Sequence, residues 1–245
     1  MFRRRATTRV NLIIGLLTTL VAAVLAAEVL WRWWHRRSAH LLLWGAGLLL
    51  YVLAGACEVV LSFGWTALAF RLWYWSGALM IPPILGQGTM HLLVRRKGVA
   101  MGFTLAVLFA AYASLVWLLS VPLDASQFNP NGDIARFLTE SYRAILPASP
   151  IRKVLPPILN GYGTLLLAGG AVYSAALFLR KRVLPNRVVG NVFIAFGALL
   201  PAFGGTLVKL AEDYPVLSGM GAVVKYVTIL LGVLVMWVGF RWSAR

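Results

Sequence analysis

Acidic side chains and cysteine are both scarce in this chain, and each scarcity excludes a class of protein. Asp and Glu together number 7 in 245 residues, and charged residues of both signs make up only 12%. A water-soluble domain carries roughly a quarter charged residues. The single cysteine, Cys57, excludes an internal disulfide and any multi-cysteine metal site. Most of the surface must therefore be covered by lipid rather than by water.

Apolar residues are abundant, and the basic residues are clustered between them. The chain is 60% hydrophobic, with a mean hydropathy of +0.81. A net charge of +16 would suit nucleic acid in a soluble protein. Here the basic residues stand in short groups between apolar runs, which is the positive-inside pattern of membrane proteins. We expect a lipid bilayer as the main partner and no nucleic acid.

The stretch 70–97, FRLWYWSGALMIPPILGQGTMHLLVRRK, combines the features of a membrane span. Its apolar part is long enough for a hydrocarbon core of roughly 30 Å, which about 20 helical residues cover. The aromatic residues at one end and the basic residues 95–97 at the other are interface anchors, and the basic end belongs in the cytoplasm. Pro82 and Pro83 predict a kink within the span.

The whole chain is predicted to be an all-α polytopic membrane protein, a single domain of seven transmembrane helices over residues 1–245. The predicted spans cover about 11–30, 40–63, 71–94, 99–121, 155–179, 188–210 and 216–240. Residues 122–153 are predicted to form an extracytoplasmic loop. After the turn at 129–132 this loop has apolar residues at helical spacing, which predicts a short amphipathic helix on the membrane surface.

The basic turns predict the orientation of the chain in its membrane, which we expect to be the cytoplasmic (inner) membrane of a cell. The groups 36–37, 95–97 and 180–187 alternate with turns that carry almost no basic residues. This alternation predicts an N-terminus outside and a C-terminus in the cytoplasm. The basic residues 3–5 favour the reverse orientation, and three internal turns outweigh them. Cleavage of the first apolar run as a signal peptide would leave these turns outside, so we expect that run to be retained.

The ionisable residues within the spans give the candidate site. Glu58 and Lys225 lie on helical faces of small residues, which indicates that both point into the bundle. An ion pair between them, or between Glu58 and Arg71, would neutralise these charges. Such a pair would either lock two helices together or form the charged floor of an outward-facing ligand pocket. The candidate ligand-binding residues are Glu58, Trp65, Arg71, Trp73, Tyr74, Trp75 and Lys225.

Other polar residues of the spans predict helix contacts. The spacing of four residues predicts ion pairs between Glu28 and Arg32 and between Lys209 and Asp213. A hydrogen bond between Asn160 and Asn191 would join the fifth and sixth spans. The face of the sixth span that is expected to pack inward carries Asn191, Ala195, Ala198, Ala202 and Gly205.

Two histidines, His40 and His91, are predicted near the cytoplasmic side of neighbouring spans. Two such imidazoles could hold a haem or a metal, but we expect interface positions and no metal site. The sequence contains no metal-protease helix motif, phosphate loop or nucleophile elbow. We therefore do not expect an enzyme.

The chain resembles the seven-helix N-terminal sensor region of bacterial membrane histidine kinases. The resemblance lies in LWYWSGALMIPPILGQGTMHLLVRR of the third span and in RVVGNVFIAFGALLPAF of the sixth, with Gly161-Tyr162-Gly163 between them. It implies an extracytoplasmic-facing sensor whose signal leaves through the seventh span. Those modules feed a cytoplasmic domain, and this chain ends five residues after Phe240. We therefore expect a separate cytoplasmic signalling partner.

A second resemblance, to microbial rhodopsins, rests on seven spans, on Lys225 in the seventh, and on the spacing of Arg71 and Trp75. It implies retinal on Lys225, although Tyr74 stands where a carboxylate counterion is usual.

The expected function is that of a receptor-like sensor that binds a small molecule in the outer half of the bundle. The alternatives are a small secondary transporter, with Pro82 and Pro201 at moving parts, and a cofactor protein with retinal or with haem on the two histidines. A homodimer is left open.

Overall fold

The computed structural model describes residues 2–129, 134, 137–181, 185–213 and 221–243, with side chains except at 2–9, 140, 185, 202, 205–206, 208–213 and 221–222. The helices are α1 Phe2–Arg36, α2 Ala39–Phe63, α3 Ala67–Trp73, α4 Ile81–Leu93, α5 Lys97–Ser120, α6 Pro150–Thr164, α7 Gly170–Arg180, α8 Pro185–Asp213 and α9 Gly221–Trp242. Three π-helical segments are π1 Tyr74–Met80, π2 Phe137–Ser141 and π3 Leu165–Gly169. Short 3-10 turns cover Ala125–Gln127 and Tyr142–Ala144. No strand occurs in these described ranges, so the prediction of an all-α fold is confirmed.

Five helical segments of the described chain are long and apolar enough to cross a bilayer. They are Val10–Arg36, Ala39–Phe63, Lys97–Ser120, Pro150–Arg180 and Val223–Trp242, and a shorter apolar helix covers Asn186–Pro201. Large apolar side chains on them are exposed. On α5, for example, Phe109 is 72% exposed and Leu105 60%. Such a surface would associate in water, so it is typical of a multi-pass membrane protein.

Where a kink is predicted, the third predicted span contains a π-helical segment between α3 and α4. Pro82 and Pro83 lack a backbone N–H, so the carbonyl of Ala78 has no backbone donor four or five residues later. Asn160 of α6 fills this gap, since its Nδ2 donates to the Ala78 carbonyl at 3.0 Å. The predicted hydrogen bond between Asn160 and Asn191 is not formed, and Asn160 instead binds the third predicted span.

The segment from α3 through π1 to α4 is the centre of the bundle. α2 packs against α4 on one side and α6 packs on another, while α5 adjoins α4 and π1. α1 contacts α2 and α9, α9 contacts α8, and α8 contacts α7, so the other helices surround this central segment. Every residue of the range 83–90 is buried. This part of α4 is therefore enclosed by the surrounding helices.

Glycines set the closest helix contacts. At the crossing of α4 and α6, a Cβ on Gly86 would lie 2.7 Å from the carbonyl oxygen of Gly163, and a Cβ on Gly163 would overlap the backbone of Pro82. Along α8 and α9, Gly197 faces the carbonyl oxygen of Gly232 in the same way, at 2.7 Å from a Cβ. The α8 face that contacts α9 therefore contains Gly197, one residue before Ala198 of the predicted inward face. Ala195 of the predicted face is buried. The side chains of Ala202 and Gly205 lie outside the described residues.

The segment 137–146, hereafter the cap, closes one end of the bundle. Leu138, Ile145 and Leu146 are 1 to 3% exposed, and the ring of Tyr142 lies 5.5 Å from that of Trp73. The amphipathic segment predicted to lie on the membrane surface therefore packs inward instead. Its apolar residues find a better partner in the aromatic end of α3 than in the interface. Of the predicted turn 129–132, only Asn129 is among the described residues.

Residues at the base of the cap hold it in place. The Asp124 backbone N–H donates to the Ile145 carbonyl at 3.0 Å, and Arg152 Nη1 donates to the Arg143 carbonyl at 2.7 Å. Hydrogen bonds from the hydroxyl and backbone N–H of Ser126 lower the pKa of Asp124 below its ordinary value. A charged Asp124 therefore fixes the turn where the chain leaves α5.

Candidate functional site

The carboxylate of Glu58 is the centre of a polar cluster at the cap end of the bundle. Its Oε1 accepts a hydrogen bond from Trp73 Nε1 at 2.9 Å, and its Oε2 accepts one from the Tyr226 hydroxyl at 2.8 Å. Trp73 and Tyr226 are 6% and 5% exposed. One acidic side chain of α2 thus joins α3 and α9 through two buried donors.

Lys225 lies beside this carboxylate and reaches the cap. Its Nζ donates to Thr139 Oγ1 at 3.3 Å. It also lies 5.9 Å from the ring centre of Trp73 and 5.6 Å from that of Tyr226. These cation–π contacts keep the ammonium over the two rings whose polar groups bind Glu58. The lysine therefore links α9, the last described helix, to the cap.

The predicted ion pair of Glu58 and Lys225 is not formed. The two charges share Trp73 and Tyr226 as neighbours, but the ion pairs among the described side chains are those of Glu28. Two aromatic donors take the carboxylate oxygens that the ammonium was expected to bind. The two charges therefore share two aromatic neighbours without forming an ion pair.

Arg71, the other predicted partner of Glu58, turns away from it. Its Nη2 donates to the Val121 carbonyl at 3.0 Å, and its Nη1 donates to the Leu119 carbonyl. These are carbonyls at the C-terminal end of α5, which lack helical partners and attract a cation. Arg71 thus caps a helix, and the prediction of a pair with Glu58 is wrong.

The remaining predicted aromatic residues divide between the cluster and its surroundings. Tyr74 is 1% exposed, and its ring lies 6.0 Å from that of Tyr142 in the cap. Trp65 packs on Phe128 at 5.3 Å, at the edge of the cap. Trp75 faces α5, where its Nε1 donates to the Ala111 carbonyl at 3.0 Å. Of the seven predicted site residues, Glu58, Trp73, Tyr74 and Lys225 are brought together.

The cluster also contains residues that the sequence prediction missed. Tyr226 and Thr139 bind the two charges directly, and Tyr142 covers the aromatic wall. Gly15 of α1 leaves room beside them, since a Cβ there would lie 3.3 Å from Tyr226 and 3.9 Å from Glu58. Tyr226 could have been predicted, because it directly follows Lys225 in the sequence. Nothing local in the sequence indicated that the cap would fold inward.

A second acidic residue forms a structural cluster at the opposite end, which carries the basic turns. Glu28 Oε1 accepts from Arg32 Nη2 at 3.0 Å, which confirms the predicted pair. Its Oε2 accepts from Trp237 Nε1 at 2.8 Å, and Arg241 lies 3.7 Å away. This cluster joins α1 to α9. The predicted partner side chains Lys209 and Asp213 lie outside the described residues.

A hydrogen-bond network centred on the buried Gln87 links α4, α5 and α6. Gln87 is fully buried, and its Nε2 donates to the Ala100 carbonyl at 2.9 Å and to Thr104 Oγ1 at 2.8 Å. The Tyr162 hydroxyl donates to Gln87 Oε1 at 2.5 Å. His91 Nε2 lies 2.7 Å from Thr104 Oγ1. Each of these groups meets a protein partner, which is the arrangement of a helix-locking network.

The two predicted haem or metal ligands differ in their surroundings. His91 Nε2 is engaged with Thr104, and the His40 ring packs edge-on against Trp44 at 5.3 Å. Within the part of the chain that the structure describes, no three residues among His, Cys, Asp and Glu come together as metal ligands would. Binding of a haem iron by His91 Nε2 would require release of the Thr104 contact.

Comparison with protein-family models, with curated proteins and with solved structures finds no match.

Proposed function

We infer that this protein is a receptor-like sensor of the membrane, which binds a small polar molecule at the Glu58 cluster beneath the cap. The observation that supports this is the joint position of Glu58, Lys225 and Trp73 at one end of the bundle. A carboxylate can bind an amine, an ammonium can bind a carboxylate, and aromatic walls can hold an apolar body. A zwitterion of amino-acid size matches all three features.

The contact of Lys225 with the cap provides a route for a signal. A ligand that takes the ammonium would compete with Thr139 for it and so loosen the cap. Lys225 belongs to α9, whose other end is tied to α1 by Trp237 and Glu28. A shift of α9 on ligand binding would therefore reach the basic end, where a separate signalling partner or a second copy could respond. The cap would favour one position of α9, and a bound ligand would favour another.

Seven spans and an outside N-terminus belong to the same proposal. α3, π1 and α4 continue one another over about 40 Å at 1.5 Å per residue, which is enough for a sixth crossing. α8 would supply the seventh, since its apolar part Asn186–Pro201 continues to Asp213. In this arrangement the protein spans the inner membrane of a bacterium. The basic turns lie in the cytoplasm and the cap lies on the outer side.

This orientation predicts a labelling pattern. In a Cys57→Ala background, single cysteines at Ser126 and at Lys181, both exposed positions, would be treated in intact cells with a membrane-impermeant thiol reagent. We expect label at position 126 and, until the cells are opened, none at 181. Label at 181 alone in intact cells would reverse the orientation.

Ligand binding is tested by thermal stability of the purified protein in detergent. We expect some members of a panel of amino acids, amines and short carboxylates to raise the Tm of the wild type by several degrees. Glu58→Gln should lose that increase, because the carboxylate is gone. Glu28→Gln is the matched control, since Glu28 also binds a tryptophan N–H but lies at the other end, and it should keep the increase. A panel without any effect on the wild type, or an equal loss in both variants, would refute the proposed site.

The transporter alternative draws support from the π-helical segment π1, which interrupts the third predicted span just before Pro82, where a moving part is expected. Uptake of a panel compound into proteoliposomes would favour it over sensing. The cofactor alternatives predict a visible absorption band of the isolated protein, either a Soret band or a retinylidene band abolished by Lys225→Ala. We expect neither band.

A further inference from the structure

We propose that the groove between α7 and α8 is a binding site for one anionic phospholipid, with an acyl chain in the groove and the headgroup phosphate on Arg180, Lys181 and Arg187. The groove has a volume of about 400 Å³. The proposal requires the membrane residence that the apolar helices support, and it is independent of the sensory function.

The shape of the groove fits an acyl chain. Its floor contains the buried Ala175 and Ala195, whose small side chains leave a depression between the helices. Its rims are apolar side chains that stand 54 to 69% exposed, namely Val172, Leu179, Val192 and Phe196. The walls contribute no hydrogen-bonding side chain, so a polar occupant would gain nothing there. An apolar chain is the occupant that these walls can bind.

The length of the groove corresponds to one leaflet. Along α8 it extends from Val188 to Leu199, which is roughly 16 Å at 1.5 Å per residue. The hydrocarbon core of a bilayer is roughly 30 Å thick, so the groove covers about half of it. It ends at Leu179 and Val188, next to the basic turn. A lipid seated in it would therefore have its headgroup level with the cations.

The cations converge on that end of the groove. Arg180 and Lys181 are exposed at the C-terminal end of α7. Arg187 comes from the first turns of α8, and its guanidinium lies 6.0 Å from the ring centre of Phe178 on α7. Basic residues at a cytoplasmic turn need no ligand by themselves. Here the cations lie at the end of an apolar groove that is as long as one leaflet. A phospholipid has the complementary arrangement, with an anionic headgroup at the end of an apolar chain.

The test uses the full chain, delipidated in detergent, with native mass spectrometry of retained lipid. Dioleoyl phosphatidylglycerol should be retained in preference to dioleoyl phosphatidylcholine. The variant Arg180→Gln/Lys181→Gln/Arg187→Gln should lose about fivefold in phosphatidylglycerol affinity per charge, on the order of a hundredfold in total. The control Arg95→Gln/Arg96→Gln/Lys97→Gln removes three exposed cations from another turn and should lose far less. Equal losses in both triple variants would overturn the site in favour of general surface charge.

The groove itself is tested by filling it. Ala176→Phe, and the milder Ala176→Leu if the first variant aggregates, should reduce retention of both lipids, because position 176 lines the groove. Unchanged phosphatidylglycerol binding in the filled variants would overturn the proposal. Glycerol phosphate carries the same charged group without a chain and should not displace the lipid. Its displacement of the lipid at equal concentration would show a soluble-phosphate site instead.

Discussion

Gly163→Ala is expected to unfold the protein at much lower temperature than the wild type, although alanine is the better helix former. A Cβ on Gly163 would overlap the backbone of Pro82, and backbone atoms cannot move aside as the end of a side chain can. The crossing of α6 and α4 must then open. This would pull Asn160 from the Ala78 carbonyl and Tyr162 from Gln87. We expect a loss of about 3 kcal/mol or more, at the upper end for overpacked cores.

Gly161→Ala is the matched control, two residues away on the same helix. A Cβ on Gly161 meets nothing within 4 Å, so alanine should be neutral or stabilise by about 0.5–1 kcal/mol through its helix propensity. Thermal denaturation followed by circular dichroism would give both values in one detergent. Similar Tm values for the two variants would contradict the close crossing of α4 and α6.

Glu58→Leu is expected to produce the second large loss, about 2–6 kcal/mol for the two hydrogen-bond donors that it strands. Leucine keeps the approximate size of the side chain but leaves the N–H of Trp73 and the hydroxyl of Tyr226 without their acceptor. Each buried donor that loses its partner costs about 1–3 kcal/mol. Lys225 also loses a carboxylate that shares Trp73 and Tyr226 with it as neighbours. Glu58→Gln should cost less, because its side-chain carbonyl can still accept one of the two hydrogen bonds.

Double-mutant cycles would separate these contributions. In a Tyr226→Phe background one donor is already absent, so Glu58→Leu should cost about 1–2 kcal/mol less than in the wild type. Glu58→Gln and Lys225→Met should also be non-additive, since removal of both charges strands neither. If all losses simply add, the three side chains do not interact, and the Glu58 cluster is refuted as a candidate site.

The central segment illustrates how far the sequence could predict the structure. The two prolines and the basic exit of the third span indicated a kinked membrane helix, because backbone chemistry and hydropathy act within a few residues. That Asn160 would satisfy the Ala78 carbonyl could not be predicted, since the two residues are 82 positions apart. Their meeting depends on the glycines at the crossing of α4 and α6, whose register is fixed only by packing.

The candidate site was predicted in its residue types and only partly in its contacts. The cost of a charge in lipid indicated that Glu58 and Lys225 needed internal partners, and the nearest opposite charges were the natural choice. In the structure Glu58 instead accepts hydrogen bonds from two aromatic side chains, and Arg71 donates to carbonyls at the end of α5. Hydrogen-bonding groups compete for a charge by distance and direction, and these depend on how each helix is rotated about its axis.

The sequence by itself determined the helical class, the apolar surface and the position of the basic turns, because each follows from the composition of neighbouring residues. Only the tertiary structure decided that the segment 137–146 folds inward over Trp73 rather than along the membrane. An amphipathic segment buries its apolar face equally well against lipid headgroups or against protein. The choice depends on whether a complementary surface lies within reach, and the aromatic end of α3 provides that surface here.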